Sequence, residues 1–192
     1  MVRRLSFAIF AAAVAAAAVS AQQTAKPPAA ASKAMKPMTD QEIIKRASSA
    51  GPADISANAT IVDHGADGKA RQLRAGTNGW VCMAHPETMC LDKQWQEWAD
   101  AWMNKRSPKL STVGIGYMLQ GDTGASNTDP YATAATANNQ WVVTPAHIMV
   151  LTPDAKQLDA LPTAPNNGGP WVMWKGTPYA HIMVPTVPMG NK

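Results

Sequence analysis

Phenylalanine is almost missing from this chain. Its two copies, Phe7 and Phe10, both fall in the first ten residues, so the aromatic side chains of everything downstream are seven Trp and three Tyr. These residues carry polar handles, and they suit either a core with satisfied N–H groups or a binding surface. Cysteine is limited to Cys82 and Cys90, and their C-x2-H-x4-C spacing around His85 matches neither a standard zinc pattern nor the C-x-x-C of redox proteins. Beyond the first 21 residues no apolar run is long enough to span a bilayer. There is no GxSxG elbow, P-loop, dinucleotide fingerprint, HExxH or EF-hand loop, which removes the enzyme and calcium classes that those motifs mark. Nor is there a basic stripe, so nucleic acid is not an expected partner.

The first 21 residues carry their own signal. Arg3 and Arg4 form a short positive segment, Leu5 to Val19 an apolar run, and Val19-Ser20-Ala21 a small-residue cleavage site. This is the pattern of a cleavable signal peptide, with the cut before Gln22, and the alanine-rich run is too short and too weakly apolar for an anchor. Ser6 stands where the twin-arginine motif wants Phe, which favours the general secretory route. Removing residues 1–21 takes away both phenylalanines and two positive charges, and leaves 15 basic residues against 13 acidic ones. The expected location is therefore the periplasm or the extracellular space.

Residues 22–38 are Ala, Pro, Lys, Gln and Thr with almost no large aliphatics, and read as a disordered linker. Residues 39–192 read as one domain. Thr39 with Glu42 forms a capping box that opens a short helix ending before Gly51-Pro52. Strands are expected at Thr60–Val62, Lys69–Leu73 around an Asp67-Gly68 turn, Val113–Leu119, Trp141–Val143 and His147–Leu151. Trp171–Trp174 and Tyr179–Val184 form a closing hairpin, and a helical turn covers Asp154–Leu161. The clearest helix is Asp92–Arg106, where Trp95, Trp98, Ala99 and Trp102 share a face at i, i+3, i+4 and i+7. That stripe packs on a sheet or, if exposed, serves as a platform for sugars or a partner. Strands without regular βαβ alternation give an α+β fold: a mainly antiparallel sheet against one Trp-bearing amphipathic helix.

In an exported domain two cysteines pair, so Cys82 and Cys90 are assigned a disulfide near the start of that helix. The most unusual feature is an internal echo. WVVTPAHIMV at 141–150 returns as WKGTPYAHIMV at 174–184, with one inserted Tyr179. In a strand, His147 and Met149 share a face, as do His181 and Met183. If the two strands pair, two imidazoles and two thioethers could converge, a donor set suited to copper, and to Cu(I) in particular. The competing reading is structural, with Met filling core gaps and each His donating to a carbonyl. Acid–base chemistry by a His is a third reading, with Asp63-His64 or His85 and Glu87 as candidate pairs. Asp122, Asn127 and Asp129 have the oxygens for Ca2+ but match no standard loop, and Asx-turns account for them.

GTNGWVC at 76–82, MCLD at 89–92, GYMLQGD and ASNTDPYAT between 116 and 133, and GGPWVMWKGTPYAHIMVP at 168–185 together resemble a group of uncharacterised secreted bacterial proteins. The resemblance implies export and a single domain, and implies no activity or ligand. The expectation is an exported envelope protein acting as a non-catalytic binding or structural module. The alternatives are a copper-binding protein using His147, Met149, His181 and Met183, and a periplasmic hydrolase with a His acid–base group.

Overall fold

A computed structural model describes residues 38–65, 69–165 and 167–190. The segment expected as a signal peptide, all of the expected linker but Met38, the expected Asp67-Gly68 turn and Asn166 lie outside the described residues. Helix α1 (Asp40–Ser48) starts as the sequence indicates. Thr39 caps it, and Thr39 and Glu42 exchange both hydrogen bonds of a capping box. A second short helix, α2 (Ala53–Ser56), follows Pro52 and has no periodic signal in the sequence.

The fold is α+β, built on an eight-stranded, mostly antiparallel sheet. Its strands are β1 (Thr60–His64), β2 (Ala70–Arg74), β3 (Val81–Met83), β4 (Met89–Leu91), β5 (Gly114–Met118), β8 (His147–Leu151), β9 (Trp171–Met173) and β10 (His181–Pro185). The spatial order is β2-β1-β3-β4-β5-β8-β10-β9, and the β1–β3 pair alone among these neighbours is parallel. Two-residue strands β6 (Ala125–Ser126) and β7 (Trp141–Val142) pair separately. They bracket the polar, turn-rich segment 127–140. A 3-10 turn at Ala155–Leu158 lies within the expected 154–161.

The two faces of the sheet bury different cores. On one face α1 covers Ile61, Cys82 and Cys90, with Ile43, Ala47 and Ala50 packed above them. On the other, α3 (Lys93–Met103) covers Leu91, Met118, Met149, Leu151, Trp171, Met173 and Met183. The Asp92 side chain caps α3 by accepting from Trp95 N at 2.9 Å, and its second oxygen accepts from Ile115 N on β5. One aspartate thus fixes both the start of the helix and its seat on the sheet. The helix ends at Met103, earlier than Arg106, because Lys105 takes a left-handed conformation at φ 53°. Trp95 and Trp98 are buried, at 2% and 7% exposure, while Trp102 at the end of the stripe is half-buried. The stripe is therefore core, not a surface platform.

Cys82 and Cys90 face each other on β3 and β4 and are joined by a disulfide, with Cα atoms 4.0 Å apart. The bridge lies two residues before the Asp92 cap, near the start of α3 as expected.

Candidate functional site

The echoed segments become neighbouring strands. β8 and β10 pair antiparallel, with Met149 opposite Met183 and His147 opposite Pro185. His181 falls one step beyond the Ile182–Val150 pair, level with Leu151. Side-chain alternation places His147, Met149, His181 and Met183 on the face covered by α3, and all four are buried. The two methionines come together at the centre. The two histidines flank them on opposite sides, separated by four positions along the strands, roughly 13 Å at the usual strand rise.

Each histidine makes the same local bond. His147 Nδ1 donates to the Pro145 carbonyl at 2.7 Å, and His181 Nδ1 donates to the Tyr179 carbonyl at 2.9 Å. A carbonyl only accepts, so Nδ1 carries the proton in both rings, and Nε2 of the neutral ring is left with a bare lone pair. This is the shared reason for the Thr-Pro…Ala-His element: the turn before the strand presents a carbonyl two residues upstream of the imidazole.

Their surroundings then diverge. The His181 ring is walled by the edges and faces of Trp95, Trp98 and Trp174, with centroids at 5.2, 5.6 and 5.1 Å and near-perpendicular planes. Trp98 also stacks on Trp174 at 5.6 Å. Burial pushes the His181 pKa down to about 4, against the smaller upward pull of its bond to the Tyr179 carbonyl. His181 is a neutral core residue in an indole box.

His147 is different. It is fully buried, and its Nε2 has no hydrogen-bond partner among the described residues. Pro185 faces it from β10, and its other neighbours on this face are thioethers. Met118 on β5 lies directly across from it, Met149 is two residues along its own strand, and Met183 is diagonal to it on β10. Met118, Met149 and Met183 belong to one buried cluster. Two acidic side chains bear on the ring from the end of the sheet, Asp122 and Glu87, and their charges oppose the lowering of its pKa that burial imposes. Asp122 is itself pushed up by burial, even though its Oδ1 accepts from Thr144 N at 2.8 Å and Gly124 N at 3.1 Å. Met118 and the unpartnered Nε2 were not singled out in the sequence. Met118 stands in phase with the inward residues of β5, yet no local signal says that β5 pairs with β8.

The other candidates separate cleanly. Asp122 makes an Asx-turn to Gly124, and Asp129 one to Tyr131 N at 2.9 Å. Asn127 instead ties the long polar segment to the core. Its Oδ1 accepts from Trp171 Nε1 at 3.0 Å, and its Nδ2 donates to Thr163 O and Gln140 Oε1. Among the described residues no three His, Cys, Asp or Glu side chains gather in a way that would hold a metal ion. Of the two expected acid–base pairs, neither Asp63 with His64 nor His85 with Glu87 forms among the described residues, and Asp63 partners His85 instead. His85 Nδ1 donates to Asp63 Oδ1 at 2.9 Å, and Asp63 is buried. Glu87 turns the other way and accepts from the hydroxyl of Thr123. An open groove of about 1010 Å³ is lined by Trp141, Val142, Val143, Pro185, Val187 and Met189 among others, and none of the four His-x-Met residues lines it.

No family model, no characterised protein and no solved structure matches this chain.

Proposed function

We propose that this protein is an exported, non-catalytic binding module whose ligand is a soft monovalent cation, copper(I) foremost. His147 Nε2 would bind it together with thioethers drawn from Met118, Met149 and Met183. The observation that carries this reading is the unpartnered, fully buried Nε2 on a face lined with methionine. A buried acceptor left without a donor costs about 1–3 kcal/mol. A soft cation would relieve that cost, and it is the kind of ligand that an imidazole lone pair and thioethers select. The donor set lacks the carboxylates and thiolates that Ca2+ or a structural Zn2+ would need. Met149 and Met183 keep the role expected for them, whereas His181 is assigned to the core.

The test is a Cu(I) competition titration of the protein with its disulfide intact. One ion should bind per chain, and His147→Gln should weaken binding at least tenfold while His181→Gln, checked for folding, leaves it within twofold. Met118→Leu, a nearly volume-conserving change, should weaken it as well and covers the case in which His147→Gln misfolds. Absence of stoichiometric binding would overturn the reading.

A second reading, a hydrolase using His85, is favoured by the Asp63–His85 pair, since a buried carboxylate that orients an imidazole is the arrangement of an acid–base group. Against it, no hydroxyl or thiol is hydrogen-bonded to His85 among the described residues. Chromogenic ester hydrolysis abolished by His85→Ala would establish it, and no turnover in the native protein would dismiss it.

A further inference from the structure

The buried site has a methionine path to the surface, and it follows from strand register alone. Met83 on β3 lies directly opposite Met89 on β4. Across the next strand boundary the register pairs Cys90 with Tyr117 and Leu91 with Gly116, so one step back Met89 comes level with Met118. Met118 lies directly across from His147. The row Met83, Met89, Met118, His147 therefore crosses four adjacent strands on one face, at the ~4.8 Å spacing of neighbouring strands. Burial increases along it. Met83 and Met89 are partly exposed and pack against the core cluster, Met118 is 5% exposed, and His147 is 0% exposed.

The loop above this row is held in place on three sides. His85 is fixed to Asp63, the Thr88 hydroxyl accepts from Arg46 Nε at 2.9 Å, and Glu87 takes the Thr123 hydroxyl. The Cys82–Cys90 disulfide closes its base. Glu87, two residues before Met89, is one of the two acidic groups whose charge reaches His147. The outer end of the row thus combines partly exposed methionines with a negative charge, which favours arrival of a cation.

We infer that Met83 and Met89 are the uptake ligands of the site, capturing a soft monovalent cation at the surface and passing it through Met118 to His147. This inference rests on the soft-metal reading above. Each transfer is a ligand exchange on the cation, one sulfur or nitrogen donor replacing another, with no change in oxidation state.

The experiment supplies Cu(I) as its bicinchoninate complex and follows loss of the chelate colour by stopped flow. A Met83→Leu, Met89→Leu double variant keeps volume and apolarity. It should take up copper at least tenfold more slowly, and release it to excess chelator more slowly by the same factor, with the equilibrium affinity within twofold of the native protein. Unchanged rates would overturn the inference while leaving the His147 site intact. A loss of affinity equal to the loss of uptake rate would also overturn it, by making the pair part of the final site. If the native protein takes up no copper, the His147 reading and this inference fall together.

Discussion

Met149 stands directly opposite Met183, so the two copies of the repeated segment meet at their central methionines. The antiparallel pairing brings the thioethers together and forces the histidines apart, one towards each end of the strands. A repeat that looks symmetric in sequence thereby yields two unlike imidazoles. His181 is enclosed by indoles, and His147 stands among methionines with a lone pair unmet.

That difference has a pH signature. Burial holds His181 at about 4 in the folded chain, against about 6.5 when unfolded. Between those values the unfolded state binds more protons, so stability is greatest above the unfolded value and falls as pH drops. The full contribution is about 3 kcal/mol, of which about 2 kcal/mol should be gone on moving from about pH 7 to about pH 5. His147 is shifted in the same direction and adds to the slope. Urea unfolding at a series of pH values checks this, and His181→Gln should flatten the curve. A slope unchanged in that variant would contradict the buried-neutral assignment.

The disulfide should contribute stability in proportion to the short loop that it closes. Chain-entropy arguments give about 2–3 kcal/mol for a closure of this size. Replacing both Cys82 and Cys90 by Ala should lower the unfolding free energy by that amount, measured by chemical denaturation. A loss near zero would show that strand pairing between β3 and β4 holds the loop unaided.

Gly116 bears directly on the methionine face. A Cβ there would meet Met149 Cε at 3.0 Å and the Trp95 ring at 3.3 Å. The methionine end can yield but the indole cannot easily, because its Nε1 is bonded to the Met149 carbonyl at 3.2 Å. Gly116→Ala should therefore cost about 1–2 kcal/mol and displace Met149. Copper affinity should fall with it, and an affinity unaltered alongside a lowered stability would argue that Met149 is not a ligand.

Much of this was legible in the residues themselves. The Thr39 capping box, the Asp92 start of α3 and the inward Trp95 and Trp98 follow from local rules of capping and period. So does the disulfide, from the cysteine count and the expected compartment. The His-x-Met alternation correctly placed four side chains on one face. What local pattern cannot carry is pairing over long separations. Nothing near Met118 or Met89 tells which strand lies beside it, and Asp63 finds His85 only because β1 and β3 run parallel. The orphaned Nε2 is likewise a product of packing: the same Nδ1 bond occurs in both copies, and only the surroundings distinguish them. The inward end of the Trp stripe was readable, whereas the stop at Met103 was not, because Lys105 carries no glycine-like signal for its left-handed turn.

The most direct test of the account is X-ray absorption on the protein loaded with one equivalent of Cu(I), its disulfide kept oxidised. The predicted first shell has one imidazole nitrogen and two or three sulfurs, and the nitrogen disappears in His147→Gln while remaining in His181→Gln. A shell of nitrogen and oxygen alone, or a spectrum that does not respond to His147→Gln, would contradict it.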